Sequence, residues 1–211
     1  MIHITCYLSY NAFERKDYSM PPKIKIKEDA ILDVALEITR KSGIEGVNAR
    51  ELAKELGCSI QPVFRTFQNM ENLKKALYKK VEEHFNAYML NGMNHRIPFL
   101  GMGLAYINFA KEEKNLFKLL FMSDAIHVDS PMDMISGQEN QEVIALIAGM
   151  TQLNEENSKK LYVDIWLLTH GIASLVATNH CHFSNEEAEM ILMDAFKGFL
   201  NQFSKKEKEK S

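Results

Sequence analysis

Between Val47 and Leu73 the chain reads VNARELAKELGCSIQPVFRTFQNMENL, and few folds accommodate that order of residues. Asn48 stands where a helix cap belongs, with Glu51 three residues on in the capping-box position, and Leu52, Ala53 and Leu56 then recur at helical spacing. Gly57 stops this helix. Ser59 offers a cap for a second one, where Pro62 still falls in the first turn and its missing backbone donor does no harm. Val63, Phe64 and Phe67 give the second helix a short apolar face. Two short helices about a glycine-containing turn predict a helix-turn-helix, whose second helix fits the major groove of DNA.

The rest of the chain reads as helix as well. A first helix is expected from about Lys27 to Lys41 with Ala30, Ile31, Val34, Ala35 and Ile38 inward, preceded by an alternating basic arm of Lys23, Lys25 and Lys27. A long fourth helix should start at Asn69 and pass Tyr88, because Leu73, Leu77, Val81, Phe85 and Tyr88 hold one face. Gly92 and Pro98 then punctuate the chain. Further helices are expected over about 98–112, 114–122, 136–151, 155–179 and 185–203, the last opened by a capping box of Ser184 and Glu187. With no strand-like alternation, the fold class is all-α.

Residues 1–20 have no helical period, and Met20-Pro21-Pro22 reads as a fresh beginning, so 1–20 is expected to be an extension, disordered or preceding the functional start. Behind it we expect a DNA-binding head over 21–80, a ligand-binding and dimerisation body over 81–204, and a frayed charged tail over 205–211. Charge follows this division. The chain carries −3 in all, but 21–80 holds 12 Lys and Arg against 8 Asp and Glu, while 81–200 holds 7 against 16. A basic head on an acidic body suits a protein that meets phosphate at one end only.

Several function classes are disfavoured. No apolar run approaches the roughly 18 residues of a membrane helix, and three scattered cysteines, Cys6, Cys58 and Cys181, suggest no disulfide framework, which suits a reducing cytoplasm. The sequence offers no nucleophile elbow, phosphate loop or metal motif, so neither an enzyme nor a cofactor is expected. His180-Cys181-His182 tempts a metal reading, but adjacent residues converge poorly on one ion.

From about Ile26 to Leu77 the order of a first helix, Gly43, LAKELG, a helix closing on Phe67, and then Asn69 and Leu73 resembles the DNA-binding head of the TetR (tetracycline-repressor-like) family of transcription regulators. The resemblance implies an all-helical homodimer whose C-terminal body senses a small molecule and controls the grip on a near-palindromic double-stranded operator. It places Ser59, Ile60, Gln61, Pro62, Arg65 and Thr66 toward DNA, with Gln61 suited to adenine and Arg65 to guanine or phosphate. Arg50 and Lys74 are better placed for phosphates. Phe64 stands where the family often has a phosphate-binding tyrosine, and Met70 where a lysine is common, so a modest affinity, or a small-molecule-binding or scaffold protein with weakened DNA binding, is the alternative.

Trp166-Leu-Leu-Thr-His170-Gly171 is similar to a Trp-x-x-x-His-Gly pattern of the family's C-terminal domains, and spacing stacks Trp166 and His170 on one face. Phe85, Tyr88, Met89 and Tyr106, with Phe109, Phe117, Phe121 and Met122, form an aromatic and methionine stripe that serves either as core or as the wall of a pocket for an apolar or amphipathic effector. The last two helices offer a dimer interface, with Ile165, Leu168, Ile172, Leu175 and Val176 on one and Ala188, Ile191, Leu192, Ala195, Phe199 and Phe203 on the other.

Overall fold

The structure, a computed structural model, describes residues 26–123, 130–135 and 137–209. The expected extension, the lysines at 23 and 25 and residues 124–129 lie outside that range. Among the described residues the chain forms nine α-helices and no strand: α1 (Glu28–Ser42), α2 (Ala49–Glu55), α3 (Gln61–Phe67), α4 (Met70–Gly92), α5 (Pro98–Glu112), α6 (Lys114–Phe121), α7 (Gln138–Thr151), α8 (Glu155–Ala177) and α9 (Asn185–Lys208).

Polar side chains start half of the helices after α1. Asn48 accepts from the amides of Arg50 and Glu51, and Asn69 and Asn154 accept from the amide three residues on. Ser184 and Glu187 close the expected capping box. Two expected contacts give way to others. The Glu51 carboxylate pairs with Lys54 at 2.8 Å rather than turning back toward Asn48. Ser59 does not cap α3; Ile60 holds that position in a helical conformation without a side-chain bond, since Pro62 in the first turn has already removed one unpaired amide. The turn before it closes as a Schellman motif: the Cys58 amide donates to Ala53 O, that of Gly57 to Lys54 O, and Gly57 takes a φ of 62°.

The C-terminal tail departs from expectation too. It is not frayed at 205, for α9 continues to Lys208. Glu207 accepts from the Asn154 amide at 3.0 Å and from Asn157 Nδ2 at 2.6 Å, which ties the last turn of α9 to the start of α8. Lysines in that turn also face the negative end of the helix dipole.

α1 packs on α4 and α6, α5 on α4 and α8, and α8 on α7 and α9. One apolar cluster runs through Ile31, Leu73, Leu77, Val81, Phe109, Phe117 and Leu192, crossing the head–body boundary expected at residue 80. A second, joining Phe99, Ile147, Leu161, Ile165 and Phe203, fills the far end. α4 and α5 meet backbone to backbone, and a Cβ on Gly101 would lie 2.0 Å from Gly92 O.

Candidate functional site

The head presents α3 by burying one of its faces. Val63, 1% exposed, and Phe67 lock the helix onto Leu52 and Leu73 in the shared core. Ser59, Ile60, Gln61, Phe64 and Arg65 are left exposed, with Pro62 and Thr66 half-buried. Phe64 therefore does not join the inward face expected of it; at 38% exposed it stands in solvent beside Arg65, because a seven-residue helix points inward only about every third or fourth position. Thr66 donates its hydroxyl to Pro62 O within the helix. Among the described residues Arg50, Arg65 and Lys74 pair with no carboxylate, whereas Lys54 and Lys75 are taken by Glu51 and Glu71. Arg50 and Arg65 are exposed and Lys74 half-buried, so three cations remain uncompensated on the helix-turn-helix and the start of α4.

Head and body are joined by a polar clamp that spacing in the sequence does not betray. Arg40 on α1 donates through Nε and a terminal nitrogen to Glu113, at the break between α5 and α6, over 2.8–3.0 Å. His84 on α4 lies 3.0 Å from the same carboxylate and 3.1 Å from the guanidinium. Asn115 donates to Arg40 O at 2.8 Å. Burial alone would push the Glu113 carboxyl up, but the hydrogen bonds from Arg40 and His84 outweigh it and leave the group below its ordinary range.

In the body, the aromatic stripe closes into one layer. Phe85 meets Tyr106, Phe109 and Phe121 edge-on with ring centroids 5.1–5.7 Å apart, Tyr88 meets Phe109, and Met89 packs against the same core. His170 lies flat on Trp166, at 5.0 Å and 8° between planes, with Phe117 stacked at 5.9 Å. Its Nδ1 is 3.0 Å from the Tyr106 hydroxyl and its Nε2 3.3 Å from Ser174 Oγ. Burial pushes the Tyr106 phenol up and the His170 imidazole down, so both stay uncharged, and two hydroxyls satisfy the one donor and one acceptor of a neutral ring. Ser174 was missed in the sequence, although it lies one turn past His170. Tyr88 donates to Glu112 at 2.8 Å, and burial with that bond lifts its phenol to about 12. The layer thus brings the expected residues together, but Phe109 and Phe117 are fully buried and the rings fill the space between α4, α5, α6 and α8 themselves. Met122 is exposed.

Helices α8 and α9 present only part of the faces expected of them: Leu175 is exposed and Leu168, Ile191, Ala195 and Phe199 are half-buried. Ile165, Ile172, Val176, Ala188, Leu192 and Phe203 are buried within the protomer, where α5 and α7 cover them. The apolar residues left outside are Leu167 and Leu175 on α8, 45% and 43% exposed, and Met190 on α9, at 59%. Gly171, midway between the two leucines, has open space above it. Beyond the end of α8, His180 Nδ1 bonds to Thr178 Oγ1 at 2.8 Å.

Residues 99–196, from the start of α5 to the middle of α9, match the family model of tetracycline repressor-like C-terminal domains. That part of the chain is TetR-like. No curated protein matches it. A solved structure similar to this chain is that of a protein with unknown function from Rhodococcus sp. RHA1, with a TM-score of 0.64 and 18% identity over 86% of this chain and 98% of that one. At that identity the likeness concerns the fold. Among the described residues, no helix is long and apolar enough to cross a membrane.

Proposed function

We propose that this TetR-like chain is a ligand-responsive transcriptional repressor that holds a near-palindromic operator as a homodimer and releases it when a small apolar or amphipathic molecule occupies the body. The observation that carries the reading is the presentation of α3: Val63 and Phe67 hold it from behind while Ile60, Gln61 and Arg65 stand exposed and Arg50, Arg65 and Lys74 go unpaired. Residues 21–80 act as the DNA-binding head and 81–204 as the sensing and dimerising body. Two α3 helices must reach successive major grooves about 34–36 Å apart, so the spacing of the heads decides the grip.

Helix α4 couples the two parts. Its first turns carry Leu73 and Leu77 under α3, its later turns carry Phe85 and Tyr88 in the aromatic layer, and His84 joins the Arg40–Glu113 clamp. A ligand that repacks the layer tilts α4 and changes the separation of the heads, with a coupling of about 1–3 kcal/mol. Fluorescence anisotropy of duplexes selected from a random pool tests the reading. Saturable binding that weakens as salt rises is expected, and its absence on every enriched duplex would overturn it.

A second reading, a small-molecule-binding protein with weakened DNA binding, draws on Phe64 and Met70. Phe64 lacks a hydroxyl for phosphate, and Met70 packs against the core and carries no charge. The same titration separates the two.

A further inference from the structure

The two apolar clusters do not close fully against each other. Where they meet, toward the N-terminal end of α5, a cavity of about 160 Å³ remains. Leu100 and Leu192 bound it from the first cluster, Phe99, Ile165 and Phe196 from the second. Gly103 is what keeps it open: a Cβ there would lie 3.0 Å from Leu192 Cδ1, so any side chain would take the space. The site is distinct from the aromatic layer, since none of the rings of that layer lines it. Gly103 and Phe109 are separated by roughly 9 Å along α5.

Each wall of this cavity is apolar, so water finds no partners there and does not stabilise it. Two flexible thioethers stand at its edge, Met150 exposed at the end of α7 and Met193 half-buried within α9, and both can change rotamer without breaking a helix. Wall chemistry, size and a flexible rim together define the occupant. We infer that the seam between α5, α8 and α9 is a binding site for a small uncharged hydrocarbon group, an aromatic ring or short branched alkyl of about six to eight heavy atoms, which is the size a dry cavity of roughly 150 Å³ accepts. A carboxylate or ammonium is excluded because nothing in the wall would compensate its desolvation. The occupant joins α9 to α5 and α8 by filling contacts that the chain leaves unmade.

The test uses the full chain with methyl-labelled methionine and benzene as the probe. Saturable shifts of the Met150 and Met193 methyls are expected, with a rise in unfolding temperature at saturation, while Met89, in the aromatic layer, stays in place. Gly103→Val should abolish the shifts with the helical circular dichroism retained. Should that variant not fold, Met193→Phe, which places a ring at the rim from a half-buried position, should do the same. Benzoate, the same ring with a charge, should leave the methyls unmoved. Shifts that never saturate, shifts confined to Met89, binding undiminished in a folded variant, or benzoate acting as benzene does would each overturn the assignment. An inability of the head to bind DNA would leave all these readouts intact, so this inference and the proposed function fail separately.

Discussion

His170 has both ring nitrogens engaged and stacks with Trp166 and Phe117, an arrangement that tolerates a neutral imidazole and penalises a charged one. Because burial lowers its folded-state value, the unfolded chain binds more protons than the folded one as pH drops below about 7, and stability falls with it. Replacing His170 with Gln should flatten the decline in unfolding temperature between about pH 7 and about pH 5.5, measured calorimetrically. Glu113 acts in a separate, lower window: its depressed carboxyl contributes stability above the ordinary carboxylate value and loses it as pH falls through the folded value. On the head, Arg65 is exposed and unpaired, so Arg65→Ala should leave unfolding almost unchanged yet weaken operator binding by about 1–3 kcal/mol in anisotropy titrations. Unaltered affinity would remove Arg65 from the contact.

At the scale of elements, the turn between α3 and α4 stores strain. Gln68 sits at φ 67° and ψ −44°, and the Asn69 amide donates to Phe67 O at 2.8 Å, a γ-turn of the rare hand that a side chain disfavours. Gln68→Gly should stabilise the fold by about 1 kcal/mol in urea unfolding, and an equal loss would show the turn to be relaxed. The α4–α5 hairpin behaves oppositely. Since a Cβ on Gly101 would strike the backbone of Gly92, Gly101→Ala must prise the two helices apart, and a loss of about 1–3 kcal/mol in the same assay is expected. That substitution also turns α4, so operator affinity should change with it.

For the molecule as a whole, the dimer proposed here has a specific face. With Ile165, Ile172 and Val176 covered inside the protomer, the residues free to meet a second copy on α8 are Leu167, Gly171 and Leu175, beside Met190 on α9. Gly171 lets two helices approach closely at the centre of that stripe. Light scattering after gel filtration should find a dimer in the parent chain and a monomer in Leu175→Glu; a monomeric parent would overturn the dimer, and a variant that stays dimeric would move the interface elsewhere.

Local information carried most of the secondary structure. Helix periodicity, the caps Asn48, Asn69 and Ser184, Pro98 at a first turn and Gly57 after α2 act within a few residues, so each could be read in the sequence before any contact was known. The order of short helices in the head and the Trp166–His170 pair were legible for the same reason. Three features were not. Arg40 meets Glu113 across 73 positions in sequence, the inward face of α8 is chosen by α5 and α7, and the end of α9 is held by an amide on Asn154. The sequence by itself determined where helices start and stop, because those signals are bonds between near neighbours. Only the tertiary structure decided which apolar stripe is core, which stays outside, and where the packing leaves a void, because those depend on the shapes of surfaces that distant segments bring together.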